Sequence, residues 1–236
     1  GTAGQPLFNH LRHNEKSTDG LRHIRQHLVH PVAVRHLVAA ARQAMAGHTC
    51  NRFNSAGIDF VEFGGGVGFL FGDAAMPERY RNTLVQDLLP VVLEDPSWLV
   101  NNQPSREKEF RPVLENPLNP HEILLLQRDP TFNRRLWEQG LPGFYVYYPV
   151  QRAKPGASVL LRHPTDRNAY GNRPIAATAP YPRGTTFFLA TDETWRWRDP
   201  YAELYMDAFW RNVVRHLARG RLERRDDLLE LTVDKA

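Results

Sequence analysis

A single cysteine, Cys50, stands among 236 residues, so an intrachain disulfide is impossible and a zinc site built from thiolates is excluded. Stability has to come from a buried apolar core, which a chain of this length can form. Long hydrophobic runs are missing as well. Nothing approaches the ~18–20 apolar residues that span a bilayer, and the first residues carry no signal-peptide pattern. No membrane insertion by this segment is expected. With 42% hydrophobic and 24% charged residues, the composition is that of a globular domain and not of a disordered tail.

An excess of positive or negative groups is also missing where most of the chain lies. The net charge is +4, but residues 1–58 hold seven Lys/Arg against two Asp/Glu, and the remaining chain holds 23 against 24. A nucleic-acid-binding domain needs a basic face, and the body has no such footprint. No nucleic-acid partner is expected. The basic stretch also contains seven of the ten histidines. Within it, residues 31–46 read as one amphipathic helix, with Val34, Leu37, Val38, Ala41 and Met45 on a stripe. His23, His27 and His30 share a helix face, but no carboxylate stands at matching spacing, so neither a metal site nor a cofactor is called for.

What the body does have is alternation of apolar strands and helices. Val67 to Phe71 (VGFLF) is a compact apolar run bounded by glycines, of the kind buried on both faces of a parallel sheet. Val91 to Glu94, Phe144 to Tyr148 (FYVYY), Ser158 to Leu161, Ile175 to Thr178 and Thr185 to Ala190 read as further strands. Helical pattern appears at 55–63, 78–89 and 129–139, and most clearly at 201–219, where Tyr205, Phe209, Val213 and Leu217 recur every four residues before Gly220. The segment 95–120 is rich in proline and asparagine and reads as an irregular excursion. Together these predict an α/β sandwich. Domain limits fall at 1–58, 59–222 and 223–236, the last reading as the start of a following β domain because Leu228 to Asp234 alternates.

The segments FVEFGGGVGFLFGDAAMPERYRNTLVQDLLPV (60–91), FRPVL (110–114), FYVYYPVQRAKPGASVLLRHP (144–164) and above all FFLATDETWRWRDPY with FWRNVVRHLARGRL (187–222) carry a resemblance. They resemble a bacterial glutamine amidotransferase family whose members hold a class I glutamine amidotransferase-like domain within large membrane-anchored proteins. The resemblance implies a three-layer α/β/α sandwich, flavodoxin-like, with a mostly parallel sheet and an antiparallel edge. It also implies a soluble domain of an envelope-associated parent, a periplasmic location being compatible with it, and other domains of that parent or envelope proteins as partners.

A class I amidotransferase uses a cysteine on a sharp turn after a buried strand, activated by a histidine that a carboxylate orients. After VGFLF stand Gly72 and Asp73, and neither is a thiol. The nucleophile that this activity needs is therefore missing, and the leading expectation is a non-catalytic module for interaction or ligand sensing. The alternative is a hydrolase or amidotransferase-type enzyme that draws on Asp73, His163 and Asp192 at the carboxyl ends of strands, where open α/β sheets place ligands. A capping role competes for both acids. Gly72, Asp73, Tyr148, Asp192, Glu193, Trp195, Arg196 and Trp197 are the candidate ligand or interaction residues. An extended 195–198 segment would send both indoles to one side and Arg196 and Arg198 to the other, exposed. The indoles then form either an aromatic platform or a lid on the core beneath Tyr205, Phe209 and Trp210.

Overall fold

The computed structural model describes residues 57–72, 75–102, 106–201 and 203–226. Cys50, Asp73, the histidines His23, His27 and His30, the 31–46 helix and the Leu228 to Asp234 alternation lie outside them. A helical segment at 57–62 ends at Gly64, whose φ of 89° is the left-handed conformation that glycine adopts without strain. The chain then enters β1 (Gly66–Leu70), followed by a 3-10 turn at Glu78–Tyr80 and α1 (Leu84–Leu88). Next come β2 (Val91–Leu93) and α2 (Pro96–Asn101). Asp95 caps α2 by accepting from the Ser97 N–H at 2.7 Å, and Pro96 occupies the first turn, where no N–H is needed.

After β3 (Val113–Leu114) and a 3-10 turn at Glu122–Leu124, α3 (Pro130–Arg135) repeats that capping: Asp129 accepts from the Phe132 N–H at 2.6 Å. A π-helical turn, Leu136–Gly140, continues it. The remaining elements are β4 (Val150–Ala153), β5 (Ser158–Asn168), β6 (Gly171–Tyr181), β7 (Gly184–Leu189), a 3-10 helix at Glu193–Trp197, α4 (Arg198–Tyr201) and α5 (Leu204–Asp226).

The main sheet has the order β1-β7-β6-β5-β3. Only β1 and β7 run parallel; β7–β6, β6–β5 and β5–β3 are antiparallel. A second, two-stranded antiparallel ribbon joins β2 to β4. The expectation of a mostly parallel, flavodoxin-like sandwich is therefore corrected to a mixed α/β fold with a largely antiparallel sheet. The reason lies in the connections. Two-residue loops join β5 to β6 and β6 to β7, and such loops can link only antiparallel neighbours, whereas parallel strands require a long crossover. VGFLF is a parallel strand, but the property does not extend to the sheet.

Two other segments depart from expectation. FYVYY is no strand, because its backbone bonds elsewhere: Phe144 forms a bridge with Phe110, and the Tyr148 N–H donates to the Ala190 carbonyl at 2.7 Å. The segment 193–197 is a 3-10 helix and not extended. At three residues per turn, positions two apart point in different directions. Trp197 is 1% exposed and Trp195 is 57% exposed. Helix α5 also runs past Gly220, because there it crosses a backbone: a Cβ at 220 would stand 3.1 Å from the Arg183 and Gly64 carbonyls.

Alternation along β6 and β7 divides the core. Phe187 meets Phe209 of α5 at 6.4 Å between ring centroids, which sets one face of the sheet against α5. There Tyr205, Phe209, Val213 and Leu217 are buried, and β1 approaches so closely at Gly66 that any Cβ would collide with the Leu217 backbone. Trp197 sits among Phe144, Trp137 and Phe209 with centroid distances of 5.6, 5.6 and 5.5 Å, and its indole N–H donates to the Pro142 carbonyl at 3.0 Å. Among the described residues no helix is long and apolar enough to cross a membrane.

Trp197→Ala is expected to lower unfolding stability by about 3–5 kcal/mol, whereas Trp195→Ala should change it by less than about 0.5 kcal/mol. Chemical denaturation of both variants checks this contrast, and equal effects would contradict the assigned orientations.

Candidate functional site

Two polar constellations occupy opposite ends of the sheet. The first lies where β1, β5 and β7 end, at the place predicted for a catalytic site. Gly72 forms a turn there, donating to the Met76 carbonyl and accepting from the Ala75 N–H, both at 3.1 Å. A side chain at 72 would meet nothing within 4 Å. Tyr148 is buried; its hydroxyl bonds the Glu78 carboxylate and accepts from Arg81 at 2.7 Å. Burial pushes the phenol well above its ordinary value, and the hydrogen bond to Glu78 adds to that. Burial alone would raise the Glu78 carboxyl too, but hydrogen bonds from Arg81 and Tyr148 outweigh it and hold the group below the usual carboxylate value.

From Arg81 the network continues inward. Its guanidinium donates to the Glu94 carbonyl at 2.6 Å, and the Glu94 carboxylate accepts from Arg173 at 2.5 Å. Arg173 is 2% exposed, donates also to the Val150 carbonyl at 3.0 Å, and lies 4.3 Å beneath the Trp98 ring. Its Nε is 3.0 Å from Asp166 as an ion-pair contact, without the alignment of a hydrogen bond. Asp166 in turn accepts from the Tyr147 hydroxyl at 2.5 Å.

Of the predicted catalytic residues, His163 stands on β5 and Asp192 just past β7, strands that are not neighbours. Register places Leu161, Ala176 and Leu189 in one row, so His163 and the residues after β7 are separated by β6, two strand spacings or about 10 Å. His163 is buried between Phe110 and Tyr147, at 4.3 and 4.7 Å between centroids. Its Nδ1 accepts from the Asp166 and Thr165 N–H groups at 2.7 and 3.2 Å, an interruption of the β5–β6 ladder held by a side chain. His163 to Asp166 thus lies within β5, which runs past the Ser158 to Leu161 stretch expected as a strand. Burial, with smaller effects from Arg173 and Lys108, pushes the His163 imidazole below its ordinary value despite the opposing Asp166 charge.

Asp192 is exposed and precedes the 193–197 helix without capping it through its side chain; the Thr191 hydroxyl accepts from the Glu193 N–H instead, at 3.2 Å. Glu193 is buried, and its carboxylate takes the Tyr145 and Val146 N–H groups at 2.5 and 2.8 Å. Arg196 is half-buried over the Tyr145 ring, with its Nε donating to the Gly143 carbonyl at 3.1 Å, and Arg198 pairs with Glu203 at 2.7 Å. Neither arginine is the exposed group that an extended segment would present. Glu193, Arg196 and Trp197 together hold the 142–146 segment against the end of β7.

The second constellation lies near the start of β5, absent from the sequence reading. His121 and Glu122 open the 3-10 turn, and His216 and Arg219 face them from α5. Glu122 accepts from His216 Nδ1 at 2.7 Å and pairs with Arg219 through its other oxygen. His216 Nε2 lies 3.1 Å from the Thr178 hydroxyl, which donates to the Thr186 carbonyl at 2.8 Å and therefore accepts from the imidazole. Burial opposes ionisation of Glu122, but the bonds from His216 and Arg219 prevail and lower its carboxyl. Burial, reinforced by His216, also lowers the His121 imidazole.

The turn is fixed from both sides. Buried Asn133 accepts from the Leu126 and Gln127 N–H groups at 2.9 and 3.1 Å, Trp137 donates to the Leu124 carbonyl at 2.9 Å, and Asn212 donates to Leu125 at 2.9 Å. A groove of about 420 Å³ opens beside it, lined by Asn116, Asn119, Ser158 and Arg219 among others. The legible signal was compositional: His121, His163 and His216 are the three histidines after residue 58. Two of them meet, but 95 residues of separation leave no motif.

Glu94→Ala strands the Arg173 guanidinium and is expected to cost about 3–5 kcal/mol by denaturation. Lowered histidine values mean that the unfolded chain binds more protons, so stability should fall as pH drops below the ordinary value of 6.5. His163→Asn keeps an acceptor near Nδ1 without titrating, and should flatten that fall while His121 retains part of it. An unchanged pH slope in denaturation would refute the contribution of His163.

No protein-family profile matches the chain, and no curated protein sequence does. Among solved structures it is similar to the cytoplasmic protein STM3548 from Salmonella typhimurium, with 18% identity and a TM-score of 0.47, covering 70% of this chain and 59% of that one. It is also similar to the cytoplasmic protein STM1381 from Salmonella typhimurium LT2, with 18% identity and a TM-score of 0.46, covering 74% and 66%. A beta-galactosidase from Bacillus circulans sp. alkalophilus aligns with 12% identity and a TM-score of 0.38, covering 72% of this chain and 20% of that one. The chain thus spans about 59% and 66% of the lengths of the two Salmonella proteins.

Proposed function

We propose that this chain is a non-catalytic domain that serves as an interaction or ligand-sensing module of a larger, envelope-associated bacterial protein. The observation that supports it is the engagement of the polar groups at the carboxyl ends of the strands. Glu78, Arg81, Tyr148, Glu94, Arg173, Asp166 and Tyr147 engage one another in a continuous network, and Glu193 and the Nδ1 of His163 are held by backbone N–H groups. General acid–base catalysis needs a titrating side chain within reach of a substrate proton, and a nucleophile needs a base beside it. His163, buried between two rings, meets neither condition. The envelope-associated parent rests on the sequence resemblance alone.

For interaction, the exposed Trp195 ring is the strongest feature at this end, lying 5.7 Å from the Arg196 guanidinium. Aromatic and arginine side chains dominate the energetics of protein interfaces. Gly72→Cys supplies a thiol where the resemblance calls for one, in open space. Neither this variant nor the wild-type chain should release ammonia from glutamine above the uncatalysed rate. Measurable release that His163→Asn abolishes would overturn the non-catalytic reading.

A further inference from the structure

We propose that His121, Glu122 and His216 form a binding site for a divalent cation of the zinc class. The site stands apart from the network above and does not depend on the non-catalytic reading: along β6, Thr178 beside this site and Arg173 of the network are five residues, or roughly 17 Å, apart. One ligand atom from each of the three residues lies within 4.8 Å of the others. A tetrahedral ion with bonds of about 2.0–2.1 Å to nitrogen and 2.0–2.2 Å to oxygen needs its ligands roughly 3.4 Å apart. His216 Nδ1 and Glu122 are already at 2.7 Å, so side-chain rotation by His121 closes the set.

Second-sphere geometry favours a metal more than an isolated ion pair would. A ligating histidine typically donates its other N–H to a fixed oxygen, which selects the tautomer and aims the ring. Here Nδ1 of His216 faces the site while Nε2 is held by Thr178, itself anchored to the Thr186 carbonyl. The Glu122 carboxylate has its second oxygen held by Arg219, which leaves Oε1 as the ligand once the ion displaces the His216 proton. His121 Nδ1 accepts only a long bond, 3.3 Å from the Ile123 N–H, which coordination can replace or a ring turn can keep. Two imidazoles and one carboxylate select zinc-like ions over magnesium or calcium, which prefer oxygen alone. The fourth position faces the 420 Å³ groove and is left for water or a small ligand.

The test must separate this site from the His23, His27 and His30 face. The full chain is therefore titrated with Zn²⁺ in a His23→Asn, His27→Asn, His30→Asn background. One saturable equivalent is expected, with the imidazole NMR signals of His121 and His216 shifting together, and Co²⁺ should give the visible absorption of a tetrahedral site. In that background His121→Asn with His216→Gln should weaken binding at least ~100-fold, and Thr178→Val about 10–100-fold. If the double variant fails to fold, the NMR shifts and the Thr178→Val titration decide. Absence of a saturable equivalent, binding that leaves the His121 and His216 signals unmoved, or unchanged affinity in the folded variants would overturn the proposal.

Discussion

The buried guanidinium of Arg173 is the constraint around which this fold is arranged. An ionised group withdrawn from water is tolerated only when it is paired, and the protein surrounds this one with partners from four elements. Glu94 follows β2, Val150 begins β4, Asp166 lies in β5, and Trp98 of α2 stacks on its face. One side chain of β6 thereby fixes where the two-stranded ribbon sits on the main sheet. Apolar packing supplies most of the favourable free energy, but it is non-directional, whereas this cation has few acceptable positions.

The same constraint explains why the end of the sheet expected to hold chemistry does not look like an active site. Groups that neutralise Arg173 are themselves anchored: Asp166 by Tyr147, and the Glu94 backbone by Arg81, which holds Tyr148 and Glu78. At the opposite end the sheet carries less of this mutual engagement. The His121–Glu122–His216 group there sits beside open space, with its supporting turn strapped to both α3 and α5.

Much of the secondary structure was legible because it follows from local periodicity. VGFLF, the β6 and β7 strands and the α5 stripe all appear near where the pattern puts them, since burial on a strand or helix face leaves a period in the sequence. FYVYY misled for an identifiable reason. Its residue types favour a strand, but Glu193, almost fifty positions later, takes two of its N–H groups. The largely antiparallel sheet left no such trace, because strand direction resides in loop length and pairing, to which composition is nearly blind. The alternation of Trp195 and Trp197 with arginines has the period of a strand, but the segment turns with a period of three. The histidine pair and the Arg173 network were hidden because their members come together only through tertiary pairing; a lone arginine at the head of the apolar PIAATA run was the single local hint.

Strand β6 is a wall shared by two separate arrangements. Arg173 anchors the network at one end, and Thr178, near the other, holds His216. Side chains alternate between faces, so an insertion or deletion of one residue between those two positions would turn one of them to the wrong side. A change of length inside this strand would therefore break one arrangement or the other, whereas a change at the hairpin tips, where Ala169-Tyr170 and Pro182-Arg183 leave the ladder, would disturb neither.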